Sequence, residues 1–361
     1  MSRAAIAILS TENLLHNLSV IQSQTPSSKI IALVKANAYG HGLRSVSARL
    51  DKRVYSLGVA SSDEAIALRR AGVSGPITLM EGIFEQDELL IASCEKFQVV
   101  FHDWWQVKAL ESLSLPLPLQ AWLKVDTGMG RLGFNLFDAP KAYQALSNNP
   151  HIAQPIGIMS HLACADDVNH PLNQQQIQRF ENFTRNFPGL KSFCNSAGMI
   201  NFPDHHYDVV RPGMGLYGVS PIKGKLAADF DLKPIMTLQT RLIAIRTLAK
   251  GSSIGYGSQF VCPKDMRVGV IAIGYGDGYP RTTREGAPIL VNNVRCRIVG
   301  RVSMDMTTID LENCPDAKAG DPVILWGNNL PIEQVAEYTS HSPYDMLCAI
   351  QNRVRFHWTK K

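Results

Sequence analysis

Apolar and polar positions change rhythm about two thirds of the way along the chain, and the change divides it in two. Between residues 29 and 218, short apolar runs alternate with helix-patterned segments. The runs cover 30–35, 56–60, 76–80, 98–102, 119–126, 155–161, 191–195 and 208–215. Runs of this length without strict polar alternation suit strands buried on both faces, as in a parallel sheet. Amphipathic stretches lie between them, at 63–70, 104–113 and 173–186 among others. Eight strand–helix alternations in roughly 200 residues predict a (β/α)8 barrel. The competing arrangement is a doubly wound open sheet, and no GxGxxG turn follows the first strand to favour it. From Ile235 onward the chain reads instead as successive strands, at 236–248, 267–273, 288–299, 306–311 and 322–326, with one late helix at 332–338. The pattern therefore predicts a barrel over 1–230 and a mainly β C-terminal domain over 231–361, after the polar stretch Lys223-Gly224-Lys225. A further strand is predicted at 4–9.

Composition narrows the function classes. The chain has 361 residues, 45% hydrophobic and 19% charged, which is ordinary for a globular protein and carries no disorder signature. No apolar run is long enough for a membrane span, and the N-terminal run 4–9 is too short for a secretory signal. A cytoplasmic protein without membrane contact is expected. The net charge of +5 is spread along the length without lysine or arginine blocks, giving nucleic-acid binding little support. Seven cysteines, at 94, 164, 194, 262, 296, 314 and 348, form no CxxC pair, so neither a disulfide framework nor a metal site is expected.

In a barrel, functional side chains come from the ends of different strands, and unusual residues occupy those ends here. The run Val34-Lys35-Ala36-Asn37-Ala38-Tyr39-Gly40-His41-Gly42 closes the first strand with Lys35. A lysine at a strand end more often snorkels to solvent; desolvated, it is a nucleophile suited to a Schiff base. On the fifth strand, Lys124 and Arg131 flank a glycine-rich turn, a pattern that is by default solvated surface. Ser160-His161 closes the sixth strand, and Asn195-Ser196-Ala197-Gly198 closes the seventh, where Ser196 can cap a helix start that also suits phosphate. In Val210-Arg211-Pro212-Gly213-Met214-Gly215, the glycines let backbone N–H groups approach an anion closely.

Taken together these strings resemble the alanine racemases, pyridoxal-phosphate enzymes that interconvert L- and D-alanine, and the resemblance runs nearly the whole chain. It implies that Lys35 holds pyridoxal 5'-phosphate and acts as one catalytic base, with Tyr39, His161, Asn195, Ser196, Arg211, Gly213, Met214 and Tyr344 as cofactor contacts. Arg211 matches the family's arginine at the ring nitrogen, where a permanent cation disfavours the protonated ring and so favours racemisation over transamination. Arg131 would meet the substrate carboxylate, beside Lys124, which in some members carries a carbamate. Ile254-Gly255-Tyr256-Gly257-Ser258 resembles the segment with the second base, Tyr256. A racemase needs proton-transfer groups on both faces of the α-carbon, and Lys35 and Tyr256 meet that need. Met304 would offer its backbone N–H to the substrate carboxylate, and Tyr275 and Asp305 would line or support the entrance; Ser303 stands where members often have cysteine. In the family the site is shared between subunits, which implies a homodimer with Tyr256, Tyr275, Met304 and Asp305 acting in trans. Three other readings share motifs. A broader racemase for serine, lysine or arginine has them all. A decarboxylase of this architecture has a carboxylate where Arg211 stands. A non-enzymatic cofactor-binding barrel lacks the second domain.

Overall fold

The eight apolar runs become eight parallel staves. In the computed structural model, which describes residues 3–359, they are β2 to β9, following a first strand, β1 (Ile6–Ser10). Their ranges are β2 (Lys29–Leu33), β3 (Ser56–Val59), β4 (Ile77–Leu79), β5 (Phe97–Phe101), β6 (Leu119–Lys124), β7 (Ile152–Met159), β8 (Lys191–Asn195) and β9 (Val209–Arg211). Each pairs in parallel with the next, and β9 closes on β2 through Lys29 opposite Val209 and Ile30 opposite Val210. Ile31, Met80, Val100, Trp122, Met159 and Val209 pack into one apolar plug, separate from the larger core under the helices. A polar layer lies beside it: Ser56, Thr78, Gln98 and Gln120 hydrogen-bond in series, and the Trp122 indole donates to Gln98 Oε1 at 3.0 Å. The interior is thus filled, and the chemistry is left to the strand ends.

The C-terminal half is built from β10 (Met236–Leu248), β11 (Ser253–Ile254), β12 (Phe260–Val261), β13 (Met266–Ile271), β14 (Pro288–Val291), β15 (Val294–Ile298), β16 (Thr307–Asp310), β17 (Pro322–Trp326) and β18 (Arg355–Thr359). Eight strands form one sheet in the order β13-β16-β15-β14-β17-β10-β1-β18, with β10 also pairing β13, while β11 and β12 form a small hairpin. The barrel followed by a mainly β domain therefore stands as expected from the pattern.

Four local expectations need correction. The first strand, assigned with the barrel, lies in the C-terminal sheet, antiparallel to β10 and parallel to β18. Strand β18, whose charged and aromatic residues alternate, was not predicted at all. The single strand expected over 288–299 is a hairpin turned at Asn292 and Asn293, both at positive φ (51° and 65°), the conformation that asparagine tolerates in tight hairpin turns. Finally, the strand before Lys35 stops at Leu33. Residues 36–39 form a left-handed turn, with φ between 51° and 55° at Ala36, Asn37, Ala38 and Tyr39.

That turn is costly for L-residues, ~1–2 kcal/mol each, and contacts over-determine it. Glu64 accepts from the amides of Ala36 (2.8 Å) and Ala60 (2.9 Å), and Asn37 Oδ1 accepts from the Leu43 amide (2.9 Å). His41 lies underneath, fully buried and stacked on Tyr217, with Nδ1 2.8 Å from the Tyr39 carbonyl. A carbonyl only accepts, so Nδ1 carries a proton and donates it to the Tyr39 carbonyl. Burial lowers the His41 pKa to about 4, against the opposing pull of those carbonyls. Between pH 4 and 6.5 the unfolded chain therefore binds a proton at His41 that the folded chain does not, so stability rises with pH across this window. Acidification should cost up to about 3 kcal/mol at this residue. Urea melts from pH 7 to 4.5 check this: the slope of midpoint against pH should be shallower in His41→Asn than in wild type.

Candidate active site

The C-terminal ends of the barrel strands converge on a cavity of about 180 Å³ lined by Leu33, Lys35, Met80, Glu81, Lys124, Arg131, Leu132, Met159, His161 and Arg211. Five of the residues singled out from sequence meet here: Lys35, Lys124, Arg131, His161 and Arg211. Each is held by its own element. Lys35 follows β2 and begins the left-handed turn. Lys124 is the last residue of β6. The next loop is organised by Asp126, whose carboxylate accepts from the amides of Gly128, Met129 and Gly130 (2.8–3.2 Å) and so carries Arg131 back over the barrel end.

Arg211 ends β9 and is only 2% exposed. Its guanidinium donates to Ser192 Oγ (2.6 Å), the Ser160 and Phe193 carbonyls (2.5 and 3.2 Å) and His161 Nδ1 (3.1 Å). No described carboxylate forms an ion pair with it, and burial lowers its pKa to about 10, leaving it charged near neutrality. A guanidinium can only donate, so His161 Nδ1 accepts from Arg211, and the Asn195 amide nitrogen lies 3.3 Å from Nε2 on the other side of the ring. Burial and then the Arg211 charge push the His161 pKa well down, so this histidine is neutral. Lys124 is 9% exposed; burial, then the charges of Arg211, Arg131 and Lys35, lower its pKa to about 8. At pH 7 about a tenth of its amine is neutral.

A second group of predicted residues forms a cradle beside the cavity. Asn195, not Ser196, caps the helix Ser196–Asn201, with Oδ1 accepting from the Gly198 amide at 2.9 Å. This corrects the expected cap. Ser196 instead turns its hydroxyl to the amides of Gly213 (2.8 Å) and Gly215 (3.3 Å), with buried Met214 between them. A side chain at Gly213 would lie 2.6 Å from the Tyr39 hydroxyl, so only glycine lets that hydroxyl approach. Tyr39 stacks on Tyr217 (4.9 Å) and lies 6.1 Å from the Tyr344 ring. Tyr344 is delivered by the unpredicted helix Pro343–Cys348, whose start is a capping box between Ser342 and Asp345.

Cations thus outnumber carboxylates around the cavity by four to one, with backbone amides and hydroxyls adjoining. This arrangement fits an anionic, phosphate-bearing cofactor that reacts with an amine. Sequence reasoning missed Glu81 and His102. Both follow predicted strands by one residue or end them, the same signal that exposed Lys35.

The remaining predicted residues are elsewhere. Tyr256 and Met304 sit on the β domain, 70% and 52% exposed, and Tyr275 is also exposed, under the guanidinium of Arg281 (5.7 Å). Asp305 pairs with Arg353 and, at 3.5 Å, with Arg3; the Arg353 hydrogen bond holds its carboxyl below the usual range. Behind it the fully buried Asp277 accepts from Arg3 Nε (2.8 Å) and Arg353 Nε (2.7 Å). Within one chain, none of Tyr256, Tyr275, Met304 and Asp305 lines the cavity.

Comparison with known proteins agrees over both halves. The family model described as alanine racemase, N-terminal domain, matches residues 9–221, and that of the C-terminal domain matches 235–358. The chain is 46% identical over 353 residues to an alanine racemase of Aeromonas hydrophila, covering 98% of each. It is 44% identical over 353 residues to the biosynthetic alanine racemase of Escherichia coli, again covering 98% of each. The crystal structure of the biosynthetic alanine racemase from Pseudomonas aeruginosa superposes with a TM-score of 0.96 at 37% identity, covering 99% of this chain and all of that one.

Proposed function

The chain belongs to the alanine racemase family, and from that premise we infer that it interconverts L- and D-alanine using pyridoxal 5'-phosphate bound at the barrel mouth. The observation that carries the reading is the meeting of Lys35 with a buried, carboxylate-free Arg211 at one end of one barrel. Lys35 would hold the cofactor covalently through its amine. Tyr39, Ser196, Gly213, Met214 and Tyr344 would take the phosphate, and Asn195 and His161 would flank the ring. The chemistry the cofactor would supply there is withdrawal of electron density from the substrate α-carbon, which makes its proton acidic enough to leave. Arg211, which can only donate and is fixed by four acceptors, would offer a positive charge to the ring nitrogen.

Arg131 is suited to the substrate carboxylate. Lys124, neutral part of the time, meets the chemical condition for a carbamate that would balance Arg131. Lys35 would move the α-proton on one face and Tyr256 on the other. For Tyr256 and Met304 to reach a barrel mouth, a second copy must supply them, so the reading includes a homodimer with sites made from two chains. Support comes from the exposure of Tyr256 and Met304 on the β domain, where neither reaches its own chain's cavity. A cytoplasmic location belongs to the same proposal. Its support is that all seven cysteines are free, as in a reducing compartment, and that no described helix is long and apolar enough to cross a membrane.

The test is direct. Purified protein with pyridoxal 5'-phosphate in deuterated water should take either alanine enantiomer to an equal mixture and place deuterium at the α-carbon. In the same assay serine, larger by one hydroxyl, should turn over more slowly, and lysine and arginine slower still. Cofactor binding without α-deuterium exchange would identify a carrier and overturn the reading.

A further inference from the structure

Glu81 has no part in the scheme above, yet among the described residues it is the only carboxylate lining the cavity. It follows β4, and three features fix it there. Gly82 has φ +71°, where a side chain would also meet the Val100 carbonyl at 2.4 Å, so the chain turns sharply just after Glu81. The Glu81 carbonyl accepts from His102 Nε2 at 3.0 Å. Its Oε1 lies 3.1 Å from Lys35 Nζ.

The charge inventory gives this contact a purpose. When Lys35 takes a proton from the α-carbon of an amino acid, the C–H bond breaks, its electron pair stays with carbon, and Nζ passes from NH2 to NH3+. That new positive charge forms beside Lys124, Arg131 and Arg211, which repel it. A fixed carboxylate at the point where the charge develops lowers the cost of the step. Resting on the racemase reading, we propose that Glu81 is the positioning residue for Lys35, holding its amine in place and stabilising the positive charge it gains on accepting the α-proton. Glu81 itself makes and breaks no bond. Its help is one-sided, because Tyr256 serves the opposite face.

Glu81→Gln, with Glu81→Asp as the conservative control, tests this in two ways. The side chain is about one-third exposed, so both variants should fold, with unchanged circular dichroism and thermal midpoint. First, in cofactor-free protein at pH 7.5, reductive methylation of Lys35 read by peptide mass spectrometry should be about threefold faster in Glu81→Gln, because the carboxylate that engages and orients the amine is gone. Glu81→Asp should fall between it and wild type. Second, in the holoenzyme, kcat should fall about tenfold. The α-deuterium isotope effect should fall for D-alanine, because a less stabilised Lys35 ammonium returns the proton faster and brings that step nearer to equilibrium, and rise for L-alanine, whose proton leaves at the Tyr256 face. An unchanged methylation rate, or isotope effects that move together, overturns the proposal. Wild-type protein that fails to racemise alanine overturns the parent reading instead, a result the methylation arm does not mimic.

Discussion

Replacing Lys35 with alanine should abolish racemisation, by about 10⁴-fold or more, and remove covalent capture of the cofactor. The side chain is asked to do two things at once: carry the cofactor between turnovers and move a proton on one face. Removing a group that acts as nucleophile and base together costs close to the whole chemical acceleration. Lys35→Arg sharpens the test, because it keeps a cation in the cavity but offers no amine to react. Both variants should bind the cofactor weakly through the phosphate cradle. Borohydride reduction and peptide mass spectrometry should find pyridoxyl label at Lys35 in wild type and none in either variant. Residual racemisation above about a hundredth of wild type would show that another residue carries the step.

The second large effect is expected at Tyr256. Tyr256→Phe should lower racemisation by about 10²–10⁴-fold, the usual worth of a positioned proton-transfer group, without loss of cofactor. Lys35 remains, so the α-proton of D-alanine should still exchange with solvent while that of L-alanine does not. The exposure of Tyr256 adds a sharper expectation. If each site takes Lys35 from one chain and Tyr256 from the other, Lys35→Ala and Tyr256→Phe chains complement one another. A hybrid dimer then has one doubly damaged site and one intact site. Random reassortment of equal amounts should restore about a quarter of wild-type activity, since half the dimers are hybrids with one good site. Recovery of nothing would place Lys35 and Tyr256 in the same chain's site and remove the shared-site reading. Equal exchange from both alanine enantiomers in Tyr256→Phe would remove the two-base assignment.

The barrel was legible because parallel strands announce themselves as apolar runs, and the strand ends could then be searched for chemistry. Lys35, Lys124, His161, Asn195 and Arg211 were found that way. Glu81 was passed over because the expected strand ended at Met80 and the carboxylate beside Gly82 read as an ordinary turn. The left-handed turn at 36–39 was not legible, since alanine and tyrosine carry no local sign of positive φ. Contacts from Glu64 and His41, distant in the sequence or hidden beneath it, impose that shape. Ser196 was assigned the capping role from its hydroxyl, but Asn195 stands one residue earlier and competes for the same amide. The hairpin at Asn292-Asn293 was visible in principle; the apolar residues on both sides hid it within a longer run. Strand β18 could not be read, because Arg355, His357 and Thr359 give an edge strand the look of a loop.

The placement of β1 bears on how the chain matures. Its two neighbours are β10 and β18, more than two hundred and more than three hundred residues downstream. During synthesis β1 leaves the ribosome before the barrel strands and must wait unpaired while the barrel is made, and its other edge is covered only by β18, which is translated far later. Contacts so far apart in sequence form slowly, and exposed strand edges invite association in the meantime. The β sheet is therefore the late-closing part of the molecule, and the barrel is complete before the surface that carries Tyr256 exists.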